Sequence, residues 1–317
     1  MDNLAIWAEA GAIRIGEQAL PPDCAPDQVL VRMLRAPINP ADLLAIDGGY
    51  AFALDSGTPL GAEGIGVIER IGSAVTDLAR GDRVLPLSRG NWCRHRLLNR
   101  TDLIALPATQ AIALDEAAML RINPPTARLL IEAAGAGAGE VMVQNGATSA
   151  VARWVRHLAD RRGITVIDVV RRDAPALPGA IVDGLDLPAE IARAAGGRPV
   201  VAALDCVAGT ATERLAECLA PGGRLVLYGH LSGQPISVRS QAMTGGILSI
   251  TGFSLRPTEA RLGPAGVRSG FADLFAAIAD RGPEVPIAGV YPLRQVEKAV
   301  AHARSGAGGR VMLDLSA

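Results

Sequence analysis

Aromatic side chains are scarce, at 3% of 317 residues, so any core must be aliphatic. The four cysteines are Cys24, Cys93, Cys206 and Cys218, and no two stand as a C-x-x-C pair. That spacing argues against a zinc ribbon or a disulfide framework and predicts reduced thiols in a cytoplasmic protein. Charge of one sign is also lacking, and a net −1 leaves no basic excess for nucleic acid. No apolar run reaches the ~18 residues a membrane helix needs. The opening MDNLAIWAEAGAIRIG has an early Asp and no basic stretch, and it reads as a strand, not a targeting peptide. Aliphatic residues are plentiful: hydrophobic side chains make up 49%, enough for a sizeable core, over a length that fits two domains.

The first third is strand-like and rich in turns. AIWAEA, QVLVRML, GIGVIERIG and DRVLPL alternate with Gly, Pro and Asp, which predicts a compact, mostly β domain. Near residue 115 the pattern changes. DEAAMLRINPPTARLLIEAAG has helical spacing interrupted by Pro124-Pro125. VMVQN, ITVIDVV, VVAALDCVAG, RLVLYG and ILSITGFSL read as strands, with helices SAVARWVRHLAD and TERLAECLAPGG between them. That alternation predicts a doubly wound parallel sheet. Beyond residue 255 come a helix GFADLFAAIAD, a strand–turn–helix VYPLRQVEKAVAHARSG and a closing strand GGRVMLDL.

The stretch VMVQNGATSAV resembles a dinucleotide-binding turn in which Gly146, Ser149 and Ala152 replace the three glycines. Two readings stand. Ser149 is a phosphate-facing hydroxyl at a helix N-terminus, or simply the cap of an ordinary helix. The second strand ends in VVRR, with Arg171 where such folds read the ribose. Two guanidinium groups there fit a 2′-phosphate, although Arg171 and Arg172 also read as solvated loop charges.

RAPINPADLLAIDGGY, GAEGIGVIERIGSAVTDLARGDRVLP, INPPTARLLIE, VMVQNGATSAV, VVRR, LDCVAG and GGRLVLYG follow in order along almost the whole chain. Together they resemble the medium-chain dehydrogenase/reductase superfamily. Within it they are most similar to the zinc-free quinone-oxidoreductase-like branch and to mitochondrial-type 2-enoyl thioester reductases. The resemblance implies an α/β protein with two domains. One is a GroES-like, mostly β catalytic domain split over residues 1–115 and 256–317; the other is a Rossmann NADPH-binding domain with a doubly wound parallel sheet, inserted at 116–255. It also implies a cleft between them, NADPH as cofactor, and a homodimer formed through the Rossmann sheets.

Zinc-dependent members carry Cys-His-x-Asp and Gly-His-Glu stretches. The matching positions here are Asn39-Pro40-Ala41-Asp42 and Gly61-Ala62-Glu63, so cysteine and histidine ligands are missing and no metal is expected. Cys93 and His95 form a C-x-H pair whose spacing reads as adventitious. By the same resemblance Tyr50 is the proton donor or carbonyl anchor, with an ordinary surface tyrosine as the alternative. Cofactor contacts fall on Asn123, Thr126, Gly146, Thr148, Ser149, Ala150 and Val151. Phosphate contacts fall on Arg171 and Arg172, and further contacts on Tyr228, Gly229, His230, Leu231, Phe253, Ser254, Leu255 and Arg310. Two departures bear on this. DAPALPGAIVDGLDLPAE is shorter and more proline-rich than the helix-containing stretch usual after VVRR, and Ser254 stands where enoyl reductases often carry tryptophan.

The function expected is NADPH-dependent reduction of an activated C=C bond, in an enone or enoyl thioester, without zinc. Quinone reduction is the alternative within the family. A non-catalytic NADPH-binding redox sensor or partner subunit is the alternative outside it.

Overall fold

Short β-branched runs separated by glycine, proline and aspartate fold as strands, as their composition predicts. In the computed structural model the described residues are 3–9, 11–49, 57–175, 177–278, 282–306 and 308–316. The chain opens with β1 (Leu4–Glu9), β2 (Ala12–Glu17), β3 (Gln28–Pro37), α1 (Pro40–Ile46), β4 (Ile65–Ile71), β5 (Arg83–Pro86), β6 (His95–Asn99), β7 (Leu103–Ala105) and α2 (Leu114–Ala117). It continues through α3 (Asn123–Ala134), β8 (Val141–Gln144), α4 (Ala150–Asp160), β9 (Thr165–Val170), β10 (Ile181–Val182) and α5 (Leu187–Ala194). Then come β11 (Val200–Asp205), α6 (Thr210–Glu217), β12 (Arg224–Leu227), α7 (Ser240–Gly245), β13 (Ser249–Gly252) and α8 (Leu255–Ala277). It ends in β14 (Ile287–Pro292), α9 (Val296–Arg304) and β15 (Arg310–Asp314).

These elements form two compact units, one of Met1–Ile122 with Val285–Ala317 and one of Asn123–Glu284. The divisions lie at 122/123 and 284/285, not at the expected 115/116 and 255/256. The reason is packing: α2 contacts β3 in the first unit, whereas α8 packs on α3 in the second.

The first unit is the GroES-like one. Its main sheet runs β14-β15-β3-β4-β5-β7, with β6 also on β3, and β1 and β2 pair as a hairpin. The strand β15 is antiparallel to β3, with Leu313 opposite Ala36, so a strand from the later part of the chain joins the sheet built by β3–β7. Trp92, Ile6, Met33, Ile68 and Leu313 are buried together in its core.

The second unit carries a six-stranded sheet in the order β10-β9-β8-β11-β12-β13, every pair parallel. This is the doubly wound Rossmann order, in which the winding reverses between the first strand, β8, and the fourth, β11. Aliphatic side chains fill its core, among them Val141, Val143, Ile167, Val169, Ala203 and Leu225.

Two local readings change, and a third gains detail. Pro124 and Pro125 lie in the first turn of α3 and do not interrupt it; a first-turn proline loses no intrahelical hydrogen bond. α8 starts at Leu255, well before the expected GFADLFAAIAD, and a break at Gly263 followed by Pro264 divides it. The proline-rich segment after Arg172 runs without a helix among its described residues, then supplies the two-residue β10, and α5 follows at once.

Candidate active site

Parallel sheets of this order bind ligands outside the carboxyl ends of their strands, at the crevice where the winding reverses. All but three of the expected cofactor residues lie at that end of the second unit's sheet. Gly146, Thr148, Ser149, Ala150 and Val151 follow β8, and Arg171 and Arg172 follow β9. Tyr228, Gly229, His230 and Leu231 follow β12, and Phe253, Ser254 and Leu255 follow β13.

The turn after β8 is tight. Gly146 has φ +57°, in the left-handed region, and a Cβ there would lie 2.3 Å from the Cys206 Sγ. Ser149 is the N-cap of α4, and its Oγ accepts from the Ala152 N–H at 3.2 Å. The capping reading is therefore real, but the hydroxyl proton is still available to a ligand. The first amides of any helix lack intrahelical partners, so α4 presents N–H groups and the positive end of its dipole here. Arg171 and Arg172 are exposed, and Arg171 Nε lies 3.2 Å from Asp173 Oδ1 in a fully solvated pair. His230 is exposed and Leu231 protrudes at 68%.

Two orphan donors stand out. Asn123, in the first turn of α3, is buried, and its Nδ2 has no hydrogen-bond partner among the described residues. The Tyr228 hydroxyl lies beside Cys206 and Ser149, has no well-formed hydrogen bond, and is pushed well above the ordinary phenol pKa by burial. Buried polar atoms left unpaired in a native fold call for a ligand or water. Thr126, in the same turn as Asn123, is buried too.

Sequence reasoning missed the residues that hold this end of the sheet together. Asn145 Nδ2 donates to Asp205 Oδ1 at 2.6 Å, and the Cys206 N–H donates to Asn145 Oδ1 at 2.8 Å. Asn145 and Asp205 are 60 positions apart, so no local motif announces them. The signal was a polar residue closing each of two apolar strands, where burial demands a partner. Nearby, Asp168 of β9 accepts from Gln144 Nε2 at 2.7 Å and Arg156 Nη1 at 2.9 Å, which ties the first two strands to α4.

The first unit contains a second polar cluster, at the positions that match zinc ligands elsewhere. Asp42, at 0% exposure, accepts from the Asn39 N–H (3.0 Å), the Ala62 N–H (2.8 Å) and Arg89 Nη2 (2.8 Å). Glu63, also fully buried, accepts from Asn39 Nδ2 (3.0 Å) and the Ile122 N–H (2.9 Å). Burial raises the Asp42 carboxyl above its ordinary value and pushes Glu63 up to about 7, although Arg89 and Arg310 pull the other way. Arg310 thus lies in the first unit: its Nη1 donates to Ile38 O at 3.1 Å, and its charge faces Glu63 and Asp42. Among the described residues no three His, Cys, Asp or Glu side chains come together as a metal site. Cys93 is a buried thiol donating to the Gly90 and His95 carbonyls, raised by burial to about 12, while the His95 ring faces Glu69. Tyr50 lies outside the described residues.

Residues 25–119 match the family profile described as the alcohol dehydrogenase GroES-like domain, and residues 180–309 match that of a zinc-binding dehydrogenase. The mitochondrial enoyl-[acyl-carrier-protein] reductase of Dictyostelium discoideum is 32% identical over 264 residues, covering 77% of this chain and 74% of that protein. The enzyme of the same description from Caenorhabditis elegans is 35% identical over 239 residues, covering 72% and 68%. A crystal structure assigned to an NADPH:quinone reductase of Bacillus thuringiensis superposes with a TM-score of 0.85 at 25% identity, covering 99% of each chain. The chain belongs to the medium-chain dehydrogenase/reductase superfamily of oxidoreductases.

Proposed function

We propose that the protein is an NADPH-dependent reductase of an activated C=C bond in an enoyl thioester or enone, working without zinc. The observation that carries this is the convergence at one sheet end of the α4 N-terminus, the paired arginines and the orphan Tyr228 hydroxyl, in a relative of enoyl reductases. The residues present fit a dinucleotide: Gly146 lets the backbone turn under a pyrophosphate, Ser149 and α4 supply donors, and Arg171 and Arg172 pair with a 2′-phosphate. When bound, NADPH supplies hydride from its nicotinamide ring, and the protein supplies orientation and a donor for the charge that develops on the substrate carbonyl oxygen. Asn123 Nδ2 is a donor for the nicotinamide side, and Tyr50 is our choice for the carbonyl oxygen, because a phenol is protonated at neutral pH. A resident zinc is unnecessary on this reading. The buried carboxylates of Asp42 and Glu63 already accept from N–H groups and face guanidinium charges, the reverse of a cation's surroundings.

Quinone reduction is the second reading, favoured by the 25% identity and full-length superposition with the Bacillus thuringiensis structure. We read the protein as a cytoplasmic homodimer acting on a small molecule. Its free thiols fit a reducing compartment, and among the described residues no helix is long and apolar enough to cross a membrane. NADPH oxidation measured against enoyl-CoAs, enones and quinones decides the substrate class. Turnover of enoyl-CoA, with kcat at least tenfold lower in Tyr50→Phe and NADPH affinity unchanged, supports the leading reading. Turnover of quinones alone supports the second. No turnover with tight NADPH binding makes the protein a non-catalytic NADPH binder.

A further inference from the structure

We propose that Asp205 is a positioning residue: with Asn145 and Thr212 it locks the loops after β8, β11 and β12 into one rigid cradle for the cofactor. The proposal rests on the dinucleotide reading of this sheet end but concerns residues outside the expected contacts.

The carboxylate has no exposure and accepts four hydrogen bonds. Oδ1 takes Asn145 Nδ2 (2.6 Å), the Val207 N–H (2.8 Å) and the Ala208 N–H (3.0 Å), and Oδ2 takes Thr212 Oγ1 (2.6 Å). The four bonds fix three different parts. Asn145 belongs to the turn that leads into Gly146. Val207 and Ala208 form the loop after β11. Thr212 is in the first turn of α6.

The β11 loop passes the constraint on. Its carbonyls at Cys206 and Val207 accept from the Leu231 N–H (3.0 Å) and the Ser232 N–H (2.9 Å), and Asp205 O accepts from the Tyr228 N–H (2.8 Å). The segment carrying Tyr228, Gly229, His230 and Leu231 is therefore held by the residues that Asp205 holds. Packing closes the gaps, since a Cβ on Gly229 would lie 2.6 Å from Cys206 O.

The backbone bears a sign of this constraint. Ala208 has φ +66°, a left-handed conformation that a residue with a Cβ rarely adopts. Such strain persists only where the surroundings over-determine it, and it concentrates at ligand-binding loops. A carboxylate receiving the 207 and 208 amides together is what imposes it here.

The test compares Asp205→Ala, Asp205→Asn and wild type by NADPH fluorescence titration and by amide hydrogen exchange on the cofactor-free protein. Asp205→Asn keeps an acceptor at Oδ1, and the Thr212 hydroxyl can reverse to accept from its new amide. Asp205→Ala is expected to weaken NADPH binding at least tenfold. It should also speed exchange at 207, 208, 231 and 232 at least tenfold, with protection kept in β8 and β12. Asp205→Asn should recover most of both. A uniform loss of protection throughout the sheet, or wild-type exchange at those four amides, would overturn the inference. So would unchanged NADPH affinity in Asp205→Ala. If wild type itself binds no NADPH, the cofactor reading and the cradle's purpose both fail, while the exchange pattern still decides whether Asp205 locks the loops.

Discussion

Glu63 is a carboxyl whose chemistry departs far from its type. A carboxyl with an ordinary pKa of 4.5 is pushed up to about 7 by burial, against the pull of Asn39, Arg310 and the Ile122 amide and with a small push from Asp42. A carboxyl raised on folding binds more protons folded than unfolded between those two values, so stability falls as pH rises through that window. At about 1.4 kcal/mol per pH unit the full effect is on the order of 3 kcal/mol. Glu63→Gln removes the titration. The wild-type advantage in Tm over this variant should be largest and level below about pH 4.5, shrink toward pH 7 and be flat above; a pH-independent difference would mean Glu63 ionises normally. Arg171 and Arg172 act in the opposite setting, in open solvent. The exposed Arg171–Asp173 pair is weak, so turning that guanidinium toward a phosphate costs little. A charge-assisted bond is worth ~1.5–3 kcal/mol, so NADPH should bind at least tenfold more tightly than NADH. Replacing both arginines by alanine should bring the two dissociation constants, measured by titration, close together.

Among the elements, the β8–α4 turn carries the tightest constraint. Gly146→Ala places a Cβ against Cys206 Sγ and a side chain on left-handed backbone. Overpacking and backbone strain together should cost about 2–4 kcal/mol in denaturant unfolding. Adding Cys206→Ala removes the packing share, so the double variant should recover about half; strictly additive effects would mean that the contact does not govern the turn. This turn was legible in the sequence because a strand, a glycine, a capping serine and an amphipathic helix follow one another locally. So were β9, β11 and β12, each an aliphatic run closed by a charged residue or a glycine. The start of α8 was not, because Pro257, Gly263, Pro264 and Gly266 spell a loop; Gly263 simply lets two helical pieces join. Nor was β10, a two-residue strand whose identity comes only from pairing with Val169 and Val170. The same limit hid the Asn145–Asp205 and Glu63–Ile122 contacts, which exist only once distant segments have been brought together.

At the scale of the whole molecule, the β13 edge of the six-stranded sheet bears on assembly. Among the described residues β13 pairs with β12 alone, and its exposed pattern and the 74% exposure of Ile247 leave that edge uncovered by them. An uncovered strand of this kind invites pairing with a second copy, which is how the resemblance places the dimer. The ladder indicates how to test this without harming the fold. The Ser249 and Phe253 N–H groups donate inward to Gly223 O and Leu227 O, and alternate amides on a strand point to opposite sides. The Gly252 N–H, next to Phe253 in this alternation, therefore points to the open edge. Gly252→Pro removes that outward donor and leaves the inward bonds, and a Cβ at this position meets nothing within 4 Å. We expect the wild type to scatter light as a dimer at micromolar concentration and Gly252→Pro to scatter as a monomer with an unchanged circular dichroism spectrum. If the wild type is a monomer, the β13 edge does not pair with a second copy. If Gly252→Pro remains a dimer, the two copies meet on another face and β13 is an ordinary sheet edge.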